Sequence, residues 1–127
     1  MFLFKVEIKV ATNPKMNLGL FTKEFIPKNT KVWEFIEGVD IKMDEKTFNR
    51  LNYAQKEFFE KYGWKEDDGF YYSSCDLTNF INHNYNPNLE IVGDVIISNR
   101  DIQIGEELFE DYSQFDTEFD TYKNELI

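Results

Sequence analysis

The sequence predicts a β-rich α+β domain, and three observations carry that expectation. Alternation over residues 2 to 10 puts Phe2, Phe4, Val6, Ile8 and Val10 on one side, with Lys5, Glu7 and Lys9 on the other. That is the period of a half-buried strand. Two apolar runs, Leu89-Glu90-Ile91-Val92 and Val95-Ile96-Ile97-Ser98, flank Gly93-Asp94, the pattern of a two-residue hairpin turn. Between these regions Phe48, Leu51, Gln55, Phe58 and Tyr62 recur at steps of three and four, the spacing of one helical face.

The other elements follow in order. Asn13-Pro14-Lys15-Met16-Asn17 reads as a loop and Leu18-Gly19-Leu20-Phe21 as a short apolar run. Ile26-Pro27-Lys28-Asn29-Thr30 is a turn, after which Val32, Trp33, Phe35 and Ile36 make a strand ending at Gly38. Asp44 suits the N-cap of a helix over residues 44–62, Phe59 widens its stripe, and Gly63 stands at its stop. This helix reads as an insertion packed on a sheet. Phe70-Tyr71-Tyr72 resumes the β pattern. Phe115, Phe119, Tyr122 and Leu126, at four-three-four spacing, predict a C-terminal helix with an acidic outer face over about residues 114–127.

A chain of 127 residues is expected to form one domain. Its 42% hydrophobic and 17% aromatic content fits a globular chain and not a disordered one. The single cysteine, Cys75, excludes an internal disulfide and a Cys-cluster zinc site, and it reads as a small buried residue in a reducing compartment. One His and one distant Cys make no ligand set, so no metal is expected. The apolar start, Met1 to Phe4, is too short for a signal or a membrane span, and an intracellular protein is expected, cytoplasmic or nuclear according to its source. A net charge of −10 with only two arginines argues against direct nucleic-acid binding. The acidic surface would attract a basic partner, or simply maintain solubility.

The only histidine lies in Asn82-His83-Asn84-Tyr85-Asn86-Pro87-Asn88, a run too rich in turn-formers for ordinary core. It follows Phe80-Ile81. Two further blocks flank it, Asn17-Leu18-Gly19-Leu20-Phe21 and Gly105-Glu106-Glu107-Leu108 through Asp111-Tyr112. Together, in this order, the blocks resemble the SET domain, the protein-lysine methyltransferase fold, over about residues 5–113. That family typically carries Gly-x-Gly before Leu-Phe-Ala, then Phe-Ile-Asn-His-Ser-x-x-Pro-Asn, then Gly-Glu-Glu-Leu-x-x-x-Tyr. Here Asn17 and Asn29 stand at glycine positions, and Asn is the residue after Gly that best tolerates positive φ.

The resemblance implies a β-clip of several short sheets with a knot-like C-terminal threading. The chain resembles the minimal form of some viruses and bacteria, which is expected to do without zinc-binding flanks. It implies S-adenosylmethionine as methyl donor and a lysine on a basic protein or histone-like tail as acceptor. Tyr112 would be the catalytic tyrosine. Leu18, Gly19 and Leu20 would present backbone to the donor, with Asn82 and His83 completing that site. Tyr71, Tyr72, Phe80 and Glu110 would lie on the substrate side, and alternation lets only one of Tyr71 and Tyr72 face a channel. Glu110 stands where many relatives have Phe or Tyr, a position that often governs how many methyl groups are added. Asn79 stands where Arg is common, and Asn84 replaces a Ser.

The residues by themselves also admit plainer roles. His83 reads as a structural imidazole, Leu18 to Leu20 as a strand-entry bend, and Tyr112 as a strand cap. Glu106 and Glu107 are adjacent on an extended segment and point to opposite faces, so they read as structural or solvated. The tail aromatics would form a lid, a packing helix or a homodimer contact. A different function class also fits: a catalytically silent module that binds basic peptides through its acidic surface.

Overall fold

The computed structural model describes residues 1–117 and 119–122. In chain order the strands are β1 (Val6–Val10), β2 (Leu18–Thr22), β3 (Lys31–Glu34), β4 (Ile41–Met43), β5 (Trp64–Lys65), β6 (Tyr71–Ser73), β7 (Asn82–His83), β8 (Leu89–Val92), β9 (Val95–Ser98) and β10 (Phe109–Glu110). The helices are α1 (Glu45–Asn49), α2 (Tyr53–Tyr62) and α3 (Phe119–Tyr122).

The strands form four small sheets among the described residues: β1-β2, β3-β9-β8, β4-β6-β5 and β7-β10. The first three are antiparallel, whereas β10 pairs with β7 in parallel. Turn chemistry fixes the β8–β9 hairpin as expected, with Gly93 at φ +60° and Val92 opposite Val95. Leu20, Ile26, Val32, Trp33, Ile81, Leu89, Ile96, Ile102 and Leu108 form the core, where loops and strand ends from the whole chain meet.

Both expected asparagine substitutions for glycine occupy positive φ: Asn17 at 61° and Asn29 at 61°. Asn17 has ψ −73°, close to the strained γ-turn conformation, and its N–H bonds back to the Pro14 carbonyl. Asn29 donates its N–H to the Ser98 carbonyl at 2.8 Å, which ties the turn before β3 to the end of β9.

Several expected elements differ in the structure. The helix over 44–62 is two helices. Asp44 caps α1 through Thr47 N–H at 2.7 Å, but Asn52 then opens α2 with a reciprocal capping box to Gln55. That box starts a new helix instead of letting the first continue. Phe48 is buried, while Phe58 and Tyr62 remain exposed, so α2 buries no residue fully. Gly63 ends α2 for a packing reason, not a left-handed one: at φ −97°, its Cβ would lie 2.5 Å from the Tyr72 carbonyl oxygen. In β1 the alternation marks pairing with β2, but Ile8 and Val10 are exposed because that end projects past the core. Cys75, expected to be buried, is exposed in the turn after β6. The expected helix from 114 is replaced by a 3-10 turn, Tyr112–Gln114, followed by α3, and Leu126 lies outside the described residues.

The C-terminal segment is held to the chain by Asn88, whose side chain is almost wholly buried. Its Nδ2 donates to the Glu107 carbonyl at 2.8 Å, and its Oδ1 accepts from Phe109 N–H at 2.8 Å. Alongside, Leu108 N–H donates to the Leu20 carbonyl and Asn84 N–H to the Glu110 carbonyl, each at 2.8 Å. Replacing Asn88 by Ala orphans two buried backbone groups, and chemical denaturation should show a loss of about 2–4 kcal/mol. Asn17→Gly should raise stability by about 1 kcal/mol, because relief of backbone strain exceeds the added chain entropy. Asn17→Val should lower it in the same assay.

Candidate functional site

A cleft of about 800 Å³ separates the β4-β6-β5 sheet and the end of α2 from the core strands and the C-terminal segment. Its aromatic walls include Trp33 and Phe35 from β3 and its end, Trp64 of β5 and Phe115. Tyr71 and Tyr72 both border it. This corrects the expectation that only one would: β6 is three residues long, and the wide cleft reaches both its faces. Tyr71 stacks on Phe48 with ring centroids 3.9 Å apart. Tyr72 stacks on Trp64, and its hydroxyl donates to Asp68. Burial and that carboxylate raise the Tyr72 phenol well above its usual range.

Phe80 does not line the cleft. The 3-10 turn Leu77–Phe80 directs it, with Leu77, against the core, while Thr78 and Asn79 face the cleft. Phe80 is therefore a packing residue.

Tyr112 stands in the cleft wall at the end of β10. Its hydroxyl donates to the Ile81 carbonyl, and its N–H donates to His83 Nδ1 at 3.0 Å. Burial, then the nearby Glu110 and Asp116 carboxylates, push its phenol far above the ordinary value. It stays a neutral phenol whose proton is directed at Ile81, leaving oxygen lone pairs for another partner.

His83 is a positioning residue here. Nδ1 accepts the Tyr112 N–H, so it carries no proton, and its 3.8 Å approach to Asp111 is not an ion pair. Burial lowers its basicity more than Asp111 raises it. The ring is boxed by Tyr85, Tyr112 and Phe119. Two expected lid residues thus divide: Phe115 borders the cleft and Phe119 packs on the imidazole.

Glu110 also borders the cleft, though it is only 5% exposed. Its Oε1 has no hydrogen-bond partner among the described residues. Burial alone pushes its carboxyl up to about 8. A neutral acid therefore sits two residues from the tyrosine.

Leu18, Gly19, Leu20, Asn82 and His83 do not line this cleft; Asn82 and His83 form the β7 side of the crossing, paired with Phe109 and Glu110. Asn82 Nδ2 donates to the Leu18 carbonyl at 2.9 Å and to Glu107 Oε2 at 3.0 Å. Glu107 Oε1 also accepts Thr12 N–H at 2.7 Å. Gly19 is required here, because a Cβ would lie 2.5 Å from that carboxylate. Leu20 differs from expectation: its side chain is fully buried and its carbonyl is taken by Leu108, so it belongs to the core. Glu106 reaches Arg100 at the surface, which separates it from Glu107 as strand geometry required.

The sequence reading missed the Ile81 carbonyl, Trp33 and Trp64. A backbone acceptor leaves no mark in a sequence. The two tryptophans could have been found as large aromatics on strands that flank the insertion.

Short sheets around a parallel crossing, with a buried tyrosine hung from it, define a β-clip domain of the SET class. The SET domain model matches residues 17–113, and the chain belongs to that family. A chain of the Chaetomium thermophilum polycomb repressive complex 2 bound to GSK126 aligns with a TM-score of 0.70 at 19% identity, covering 98% of this chain and 18% of that one. A ctPRC2 chain in an autoinhibited conformation bound to S-adenosylmethionine gives 0.64 at 22% identity, covering 95% and 17%. A chain of an active polycomb repressive complex 2 in the basal state gives 0.65 at 20%, covering 90% and 16%. This chain thus spans between 16% and 18% of the length of those chains, and at such identities the likeness establishes the fold. No curated protein matches it in sequence.

The buried acid has a measurable consequence. Between the ordinary value of 4.5 and about 8, the folded state holds a proton on Glu110 that the unfolded state lacks. Stability from this group is therefore lost as pH rises across that window. Glu110→Gln should be more stable than the parent by about 3 kcal/mol at pH 7 and indistinguishable near pH 4. Paired denaturation curves from pH 4 to 9 check this.

Proposed function

We propose that the chain is an S-adenosylmethionine-dependent methyltransferase acting on a lysine side chain of a basic protein segment. The observation that carries this reading is the Tyr112 hydroxyl, anchored on the Ile81 carbonyl in the wall of an aromatic cleft.

The cleft chemistry supports a lysine. Trp33, Phe35, Trp64 and Tyr72 offer apolar surface to its methylene stem. Glu57, Glu60, Glu66, Asp94 and Asp116 outweigh Lys61 and Lys65 along the rim, which favours a cationic segment. An ammonium is not a nucleophile, and an apolar cleft disfavours it against the free amine. Tyr112, with its proton committed to Ile81, accepts an N–H from that amine and so orients its lone pair.

S-adenosylmethionine, when bound, supplies a methyl group on a sulfonium. Leu18, Gly19, Asn82 and His83 would hold it on the far side of the crossing. The residues there fit such a group: the Glu107 carboxylate beneath Gly19 contributes negative charge, and exposed Leu18 and Tyr85 contribute apolar surface. Ile81 on the cleft side and Asn82 on the other are consecutive residues, so acceptor and donor would approach one point from opposite sides. That is the arrangement an in-line displacement needs.

Incubation with labelled donor and a panel of basic proteins tests the reading. Label should enter lysine, and Tyr112→Phe should reduce the rate by about 100-fold or more while calorimetric donor binding persists. Undiminished transfer in that variant removes Tyr112 from the chemistry. Peptide binding without donor binding would instead identify a silent module.

A further inference from the structure

We propose that the open edge of β1 pairs with the same strand of a second copy of the chain, joining the two β1-β2 hairpins into one continuous antiparallel sheet. The proposal is independent of the methyl-transfer reading. Both edges of β2 are occupied. β1 lies along one; along the other, Thr22 N–H donates to the Glu106 carbonyl and Leu108 N–H to the Leu20 carbonyl. β1 has only its β2 side filled. Lys23 N–H donates to the Lys5 carbonyl and Ala11 N–H to the Asn17 carbonyl, each at 2.9 Å, so Lys5, Glu7, Lys9 and Ala11 turn their backbone toward β2. Val6, Ile8 and Val10 therefore point their N–H and C=O groups the other way, with no partner among the described residues. An open row of this kind is a template for another strand.

The sequence of β1, Val6-Glu7-Ile8-Lys9-Val10, selects a copy of itself as the occupant. Antiparallel pairing centred on Ile8 sets Ile8 against Ile8 and Val6 against Val10, the outward residues, which then exchange backbone bonds. The same register sets Glu7 of each copy against Lys9 of the other. Glu7 and Lys9 already meet within the strand at 3.2 Å, so carboxylates and ammoniums alternate across the joined edge. A slip by two residues keeps the backbone pairing but sets Glu7 against Glu7 or Lys9 against Lys9, and like charges directly opposite destabilise a sheet. Ile8 is 38% exposed and Val10 77%. Pairing lays Val10 beside the half-buried Val6 of the second copy, which removes apolar surface from water. With one Glu and one Lys, β1 is also neutral in a chain of net charge −10, so two acidic copies meet there without direct repulsion.

The other outer strands lack this match. β4 carries Lys42 as its one charge and β8 carries Glu90, so self-pairing of either gains no ion pair. β5 is two residues long. β1 contributes no residue to the lining of the aromatic cleft, so the pairing does not consume the candidate site.

Analytical ultracentrifugation of the full chain tests this. The parent should form a dimer whose population rises with concentration. Glu7→Lys and Lys9→Glu should each weaken that dimer by about 10-fold or more, because each sets like charges opposite one another. Mixed together, these two variants should form a heterodimer at least as strong as the parent dimer, since every facing charge pair is then of opposite sign. The double variant Glu7→Lys/Lys9→Glu should likewise recover the parental dimer. Ile8→Pro removes an outward N–H and leaves the β1–β2 ladder its bonds, so it should be monomeric with an unchanged circular dichroism spectrum. If Ile8→Pro fails to fold, the surface charge reversals and their mixture still decide. Hydrogen exchange should show the Val6, Ile8 and Val10 amides gaining protection as the parent is concentrated. A parent chain that stays monomeric into the millimolar range overturns the proposal. So does a dimer that both charge reversals leave at parental strength, or one whose three edge amides exchange at the monomer's rate.

Discussion

The structure depends on one crossing, in which the segment from Glu107 to Tyr112 passes the loop from Ile81 to Asn88. Strand pairing there is only two residues long, too little to hold a chain end by itself. Asn88 supplies the missing order, because a buried amide can donate to one backbone group and accept from the next as a strand would. A buried amide bonded on both sides fixes register as well as position, since any slip would orphan both partners. The candidate site hangs from this crossing, through Tyr112 and the Asn82–Glu107 contact.

The same crossing explains why the polar groups nearby are neutral. Tyr112, His83 and Glu110 are each removed from water, and each is shifted toward its uncharged form. Tyr112 and His83 Nδ1 find partners on the crossing, whereas His83 Nε2 and Glu110 Oε1 have none among the described residues. An uncharged, partly unsatisfied cleft bordered by a negative rim attracts a cation from solution and then disfavours its charge once inside.

Much of the fold was legible in local chemistry. The β8–β9 hairpin follows from Gly93, the start of α1 from Asp44, and the two positive-φ turns from asparagines at glycine positions. The break between α1 and α2 was legible too, in Asn52 and Gln55, but the continuous apolar stripe masked it. Tyr112, Glu110, Tyr71 and Tyr72 all border one cleft. Phe80 and Leu20 were less legible, because motif membership says nothing about which side of the backbone a residue packs on.

What the sequence determined by itself was the set of short-range choices: turns, caps, alternation and the three blocks that mark the family. These depend on interactions within a few residues, which composition and spacing encode directly. Tertiary structure alone decided which atoms meet across the crossing. The Tyr112 hydroxyl finds the Ile81 carbonyl, Asn82 finds Glu107, and Glu110 Oε1 has no partner among the described residues. Such pairings join residues 25 to 31 positions apart or leave a buried atom without a partner among the described residues, and no local pattern distinguishes those cases.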